Sequence, residues 1–106
     1  MRVLFDHGTP APLATALQGH AVRFAKSEGW DTFTNGALLA AAEAAGFQVF
    51  VTTDKNLKYQ QHLDGRSIAI VVLMNAQWPV LRGQVERVRM VVDSVSAGGF
   101  YEVAAE

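Results

Sequence analysis

A chain of 106 residues, half of them apolar and 18% charged, fits a single domain with one hydrophobic core and lies far from the composition of disordered segments. A net charge of -1 excludes a nucleic-acid footprint built on overall basicity, so any phosphate contact has to be local. The absence of cysteine excludes a disulfide framework and thiolate metal sites and agrees with a reducing, cytoplasmic setting, while no apolar run has the length of a signal core or a membrane span.

Arg2 to Phe5 is a short apolar run that ends in Asp-His-Gly-Thr-Pro, a cluster of turn and cap residues, and reads as a strand followed by a loop. Leu13 and Leu17 among alanines predict a short helix from Pro10, stopped by Gly19, and His20 to Phe24 then forms a second strand. Ala25 to Thr34 is polar and reads as a loop. Ala37 to Ala45 is the clearest helix, with Thr34 or Asn35 as its N-cap and Gly46 as its stop.

Phe47 to Thr52 is β-branched and aromatic and predicts a third strand, and Lys55 to Leu63 a short helix or turn. Ser67 to Leu73 contains Ile-Ala-Ile-Val-Val-Leu without alternation, the pattern of a central strand buried on both faces. A last amphipathic helix carries Val80, Leu81, Val85, Val88, Val92 and Val95 on one side, ends at Gly98-Gly99, and leaves Phe100 to Val103 as an edge strand. No repeat or linker interrupts residues 1–106.

Strands alternating with helices call for right-handed βαβ units, hence an α/β three-layer sandwich with a mainly parallel sheet of four to five strands. In such sheets the functional crevice lies beyond the carboxyl ends of the strands. Asp6 follows the first strand and Asp54 the third, so both fall at that edge. Two carboxylates there suit a hard cation such as Mg²⁺ or Mn²⁺, which takes oxygen ligands and retains several waters. The plainer reading of the same aspartates is that they cap turns and helix starts.

Other polar residues have two readings as well. Lys55 and Lys58 adjoin Asp54 and either anchor a phosphate as point charges or serve solubility. His7 and His62 lack metal-ligand spacing, and His20 opens a strand and reads as structural. Trp30 and Trp78 either stack on a base or close the rim of a core. Serine-nucleophile motifs and phosphate-cradling or dinucleotide glycine loops are absent.

Val-Leu-Phe-Asp followed by Thr-Pro and Leu13, Gly29-Trp30, Asn35-Gly36-Ala37-Leu38-Leu39 with Ala42, and Gly46-Phe47 leading to Val51-Thr52-Thr53-Asp54-Lys55 together resemble the compact PIN-like proteins taken as nucleases of bacterial toxin–antitoxin pairs. The resemblance runs from Met1 to Leu73. It implies a PIN-like fold, a Mg²⁺- or Mn²⁺-dependent endoribonuclease acting on RNA, an antitoxin protein as partner and frequent homodimers. Asp6 takes the place of the first family acid and Asp54 that of the acid at the end of a Thr-x-Asp-type strand.

Two departures stand beside it. Asn35 occupies the position of a family acid at the start of the alanine-rich helix, and Asn56 that of an acid after the Asp-Lys pair. Asparagine offers a carbonyl oxygen but no charge and no base. Glu43 lies two helical turns beyond Asn35, roughly 12 Å along the axis, too far to replace it, whereas Asp31 in the preceding loop is the better candidate to replace that acid or else a solvent-facing loop acid. The chain thus has two readings: a ribonuclease with Asp6, Asp54 and Asn35 at its metal site, or the same fold with a weakened acid cluster used as a binding module.

Overall fold

The computed structural model describes residues 1–57 and 65–104. β1 (Arg2–Phe5) lies between β2 (Ala21–Phe24) and β3 (Val49–Thr52), and β4 (Ala69–Leu73) lies between β3 and β5 (Phe100–Val103). Every neighbouring pair is parallel, so the order is β2-β1-β3-β4-β5. All five residues of β4 are buried, as a non-alternating apolar strand inside a parallel sheet requires. The strand expected at Phe100 to Val103 is present and forms one edge.

The pleat sends successive side chains to opposite faces, which divides the core in two. Val3, Phe5, Val49, Val51, Val71 and Leu73 meet Leu13 and Leu17 together with Leu81, Val88 and Val92. On the other face Leu4, Phe50, Ile70 and Val72 meet Leu38, Leu39 and Ala42. Helices therefore cover both faces, the three-layer α/β arrangement that the element pattern predicts.

Three helical details differ from expectation. The segment after β1 is a 3₁₀ helix, Ala11–Ala16, and the loop after β2 contains a second, Ala25–Glu28, which Gly29 ends at φ +81°. The single C-terminal helix is three pieces: α2 (Trp78–Leu81), a 3₁₀ turn Arg82–Gln84, and α3 (Val85–Ser94). Gly83 sits in that turn, where its poor helix propensity, about 1 kcal/mol below alanine, favours tightening over a continuous α-helix. α1 spans Asn35–Ala44, and its cap is Thr34, whose hydroxyl accepts from the Ala37 amide at 3.2 Å. Asn35 is consequently the first helical residue, and its side chain is free of capping.

The crossovers do not all share one hand. The β1–β2 connection and the β4–β5 connection both pack on the Phe5 face but step along the sheet in opposite directions, so their hands are opposite. The β2–β3 connection, with α1 on the Leu4 face, has the hand of the first. The last crossover thus has the opposite hand to the first two, so the crossovers are not uniformly right-handed as expected of βαβ units. Its stripe of Leu81, Val88 and Val92 shares one cluster with Leu13 and Leu17, which draws it onto the helix already there. Among the described residues no helix is long and apolar enough to cross a membrane.

Candidate functional site

After β1 the chain turns to one face of the sheet, and after β3 it turns to the other, where Leu57 is buried. Such a divergence opens a crevice between the carboxyl ends of two neighbouring strands. The register Phe5 to Val51 sets Asp6 and Asp54 at that point on adjacent strand ends, and the Asp6 amide donates to the Val51 carbonyl at 3.1 Å, carrying the ladder one residue further.

The Asp6 side chain is buried, with 6% of the residue exposed. One carboxylate oxygen accepts the Thr9 hydroxyl at 2.6 Å and the Gly8 amide at 3.2 Å, and the other accepts the Thr52 hydroxyl at 2.5 Å and the Thr53 amide at 3.4 Å. A carboxylate has about four lone-pair sites, so Asp6 is fully engaged by the protein. Gly8 permits this closeness: a Cβ there would stand 2.5 Å from the Thr53 hydroxyl oxygen.

Asp54 is bound differently. Its amide donates to the Thr52 hydroxyl oxygen at 3.0 Å, one carboxylate oxygen accepts the Asn56 amide at 3.0 Å, and the other accepts the Asn35 side-chain amide at 3.1 Å. Asp54 is half-buried and keeps acceptor capacity that Asp6 has spent. A continuous hydrogen-bonded path therefore runs Asp6, Thr52, Asp54, Asn35, and it joins β1, β3 and the first turn of α1.

Thr52 and Thr9 are the residues that sequence reasoning missed. Both are buried polar side chains, and the sequence marks Thr52 as a hydroxyl in an otherwise apolar strand and as the threonine of the Thr-x-Asp pattern, without giving it a role. Glu43 is at the far end of α1, where its carboxylate accepts the Ser67 amide at 2.7 Å and the Ile68 amide at 3.4 Å at the entry to β4. The Ser67 amide, assisted by the Ile68 amide, the Ser67 hydroxyl and Arg66 and opposed by desolvation, holds the Glu43 carboxyl below its ordinary value of 4.5. Glu43 is a structural tie at the end of α1 away from Asn35, as the helical spacing predicts. Asp31 is exposed before α1 and makes no hydrogen bond to Asp54 or Asn35.

Lys55 is exposed next to Asp54, and Lys58 and His62 lie outside the described residues. His20 bridges the Met1 amino group at 3.2 Å and Asp93 at 2.5 Å, in agreement with a structural role. Trp30 and Trp78 both pack partly against the core. His7 donates through Nε2 to the Phe33 carbonyl at 3.2 Å. A cleft of about 370 Å³ beside Asp6 is lined by His7, Thr9, Phe24 and Lys26, while a depression of about 610 Å³ around Met90 on α3 includes none of the residues of the Asp6–Asn35 path.

The available donors are hard oxygens: the Asp54 carboxylate, the amide oxygens of Asn35 and Asn56, and Asp6 if one of its present donors yields. Among the described residues no group of three His, Cys, Asp or Glu side chains could hold a metal ion. A cation held by these donors would have to accept one or two carboxylates and keep several waters, as Mg²⁺ does, because a full protein cage is absent among the described residues. Compared with protein-family models, with curated proteins and with solved structures, the chain matches none.

Proposed function

We propose that this chain is a PIN-like, Mg²⁺- or Mn²⁺-dependent endoribonuclease that acts as the toxin of a toxin–antitoxin pair. The observation that carries the reading is the path Asp6–Thr52–Asp54–Asn35, which draws to one sheet edge the three positions that the resemblance assigns to the site.

In this reading Asp54 is the principal ligand, Asn35 orients the Asp54 carboxylate, and Asp6 holds the two loops in register through Thr52 and stands as the second carboxylate. A divalent ion held there would supply an activated water and offset the charge that grows on the phosphate. Lys55, exposed beside Asp54, offers a point charge to a neighbouring phosphate. An RNA substrate puts the activity in the cytoplasm, and the expected partners are an antitoxin protein and a second copy of the chain.

A second reading is favoured by specific observations. Asn35 and Asn56 replace two acids, and every lone-pair site of Asp6 is taken, as suits a PIN-like shell used for binding alone. Incubation of single-stranded RNA with the protein and millimolar Mn²⁺ separates the two. The nuclease reading expects cleavage that chelator and Asp54→Asn each abolish; intact RNA under all conditions, from folded protein, leaves only the binding module.

A further inference from the structure

Phe33 and Met90 are the exposed large hydrophobic side chains among the described residues, and Phe33 stands two residues before Asn35 on the turn into α1. Its ring is stacked on Trp30, with centroids 6.1 Å apart and planes 12° from parallel, and Trp30 meets the buried Phe47 edge-on at 6.2 Å. The exposed ring is thus braced from the core outward, so a ligand that covers it does not have to order it first.

The Phe33 carbonyl is held by His7, and His7 also lines the 370 Å³ cleft with Asp6, Thr9, Phe24, Lys26 and Ser27. One residue therefore links the aromatic turn, the loop after β1 and the cleft. Lys26 is exposed, whereas nearby Arg23 is engaged by Glu28 at 2.8 Å. A flat aromatic face accepts any base, and an ammonium on the cleft that His7 joins to that turn accepts the phosphate that links one base to the next. The cleft joins apolar Phe24, Ala11 and Ala25 to the ammonium, imidazole and hydroxyl groups of Lys26, His7, Thr9 and Ser27, a mixture that suits the base and the sugar-phosphate of a nucleotide, whereas the anchor of a protein partner is chiefly apolar.

We infer that this edge binds single-stranded nucleic acid, with a base stacked on Phe33 and a phosphate held by Lys26 in the cleft that His7 shares. The inference deepens the nuclease reading, on which the identity of the strand as RNA rests.

The test is fluorescence anisotropy of a labelled single-stranded RNA octanucleotide in chelating, metal-free buffer, where binding is read without cleavage. Phe33→Ala and Phe33→Leu are expected to weaken binding about 5- to 150-fold, Phe33→Tyr to retain it, and Lys26→Ala to weaken it and lessen its salt dependence. Leucine keeps apolar bulk without a π face, so its loss of affinity separates stacking from simple burial. Absence of binding by the wild type, or wild-type affinity in both Phe33→Ala and Phe33→Leu, overturns the platform. So does light scattering in which Phe33→Ala splits a dimer while RNA affinity is unchanged, because the ring then serves self-association. Loss of affinity in the leucine variant with no cleavage of RNA in Mn²⁺ keeps the platform and defeats the nuclease; cleavage with RNA affinity unaffected by the Phe33 variants does the reverse.

Discussion

The side-chain amide of Asn35 donates to the Asp54 carboxylate at 3.1 Å, which ties the first turn of α1 to the loop that ends β3. The amide stands where a carboxylate would need a cation between itself and Asp54. Thr34 makes the arrangement possible by taking the capping role, since a capping Asn35 would have turned its side chain back to its own helix.

Asn35→Asp replaces this hydrogen bond by two facing carboxylates. Two unit charges 4 Å apart repel by about 1 kcal/mol in water and about 4 kcal/mol near a protein surface. The variant is expected to melt below the wild type in chelator and to gain more from millimolar Mn²⁺ than the wild type gains. Thermal melts of both proteins with and without metal check this, and an Asn35→Asp variant indifferent to Mn²⁺ speaks against a cation between the two positions.

Thr52→Val keeps shape and removes the hydroxyl that serves Asp6 and the Asp54 amide together. A buried carboxylate loses a donor and an amide loses its acceptor, so the expected cost is about 2–3 kcal/mol in urea unfolding. Thr52→Ser retains the hydroxyl and is expected to lose no more than about 1 kcal/mol, the cost of one methyl group. Equal stability of the serine and valine variants would mean that the path contributes nothing.

Much of the layout was legible in the sequence. Apolar runs that stop at Asp6 and Asp54 fix both residues at strand ends, and β4 announces its central place by lacking alternation. The path between them was not legible, because it depends on the pairing of Phe5 with Val51, which are remote in the chain, and on which hydroxyl then meets Asp6. Nor was the hand of the last crossover, since the valine stripe of α3 would suit either face of the sheet. Phe33 reads in sequence as one more aromatic; its exposure is a property of the fold.

Glu43 gives a pH dependence that is separate from the site. Its carboxyl is held low in the folded protein, chiefly by the Ser67 amide, so its contribution is complete above the ordinary value of 4.5 and is lost as pH falls through the lowered folded value. Glu43→Gln is expected to be less stable than the wild type at neutral pH, with the two stabilities converging in acid. Denaturation midpoints of both proteins between neutral pH and pH 3 check the sign; a difference that grows in acid contradicts it.

The central claim is that the carboxyl edge built by Asp54, Asn35 and Asp6 binds a divalent cation, and the most direct measurement is the melting temperature as Mn²⁺ is titrated. A ligand that binds only the folded state must stabilise it, by about 2.7 kcal/mol at a hundred times its dissociation constant. The account predicts a saturable rise for the wild type that Asp54→Asn abolishes, with Asp54→Asn still folded in the absence of metal. A rise of undiminished size in the Asp6→Asn, Asp54→Asn double variant would contradict it.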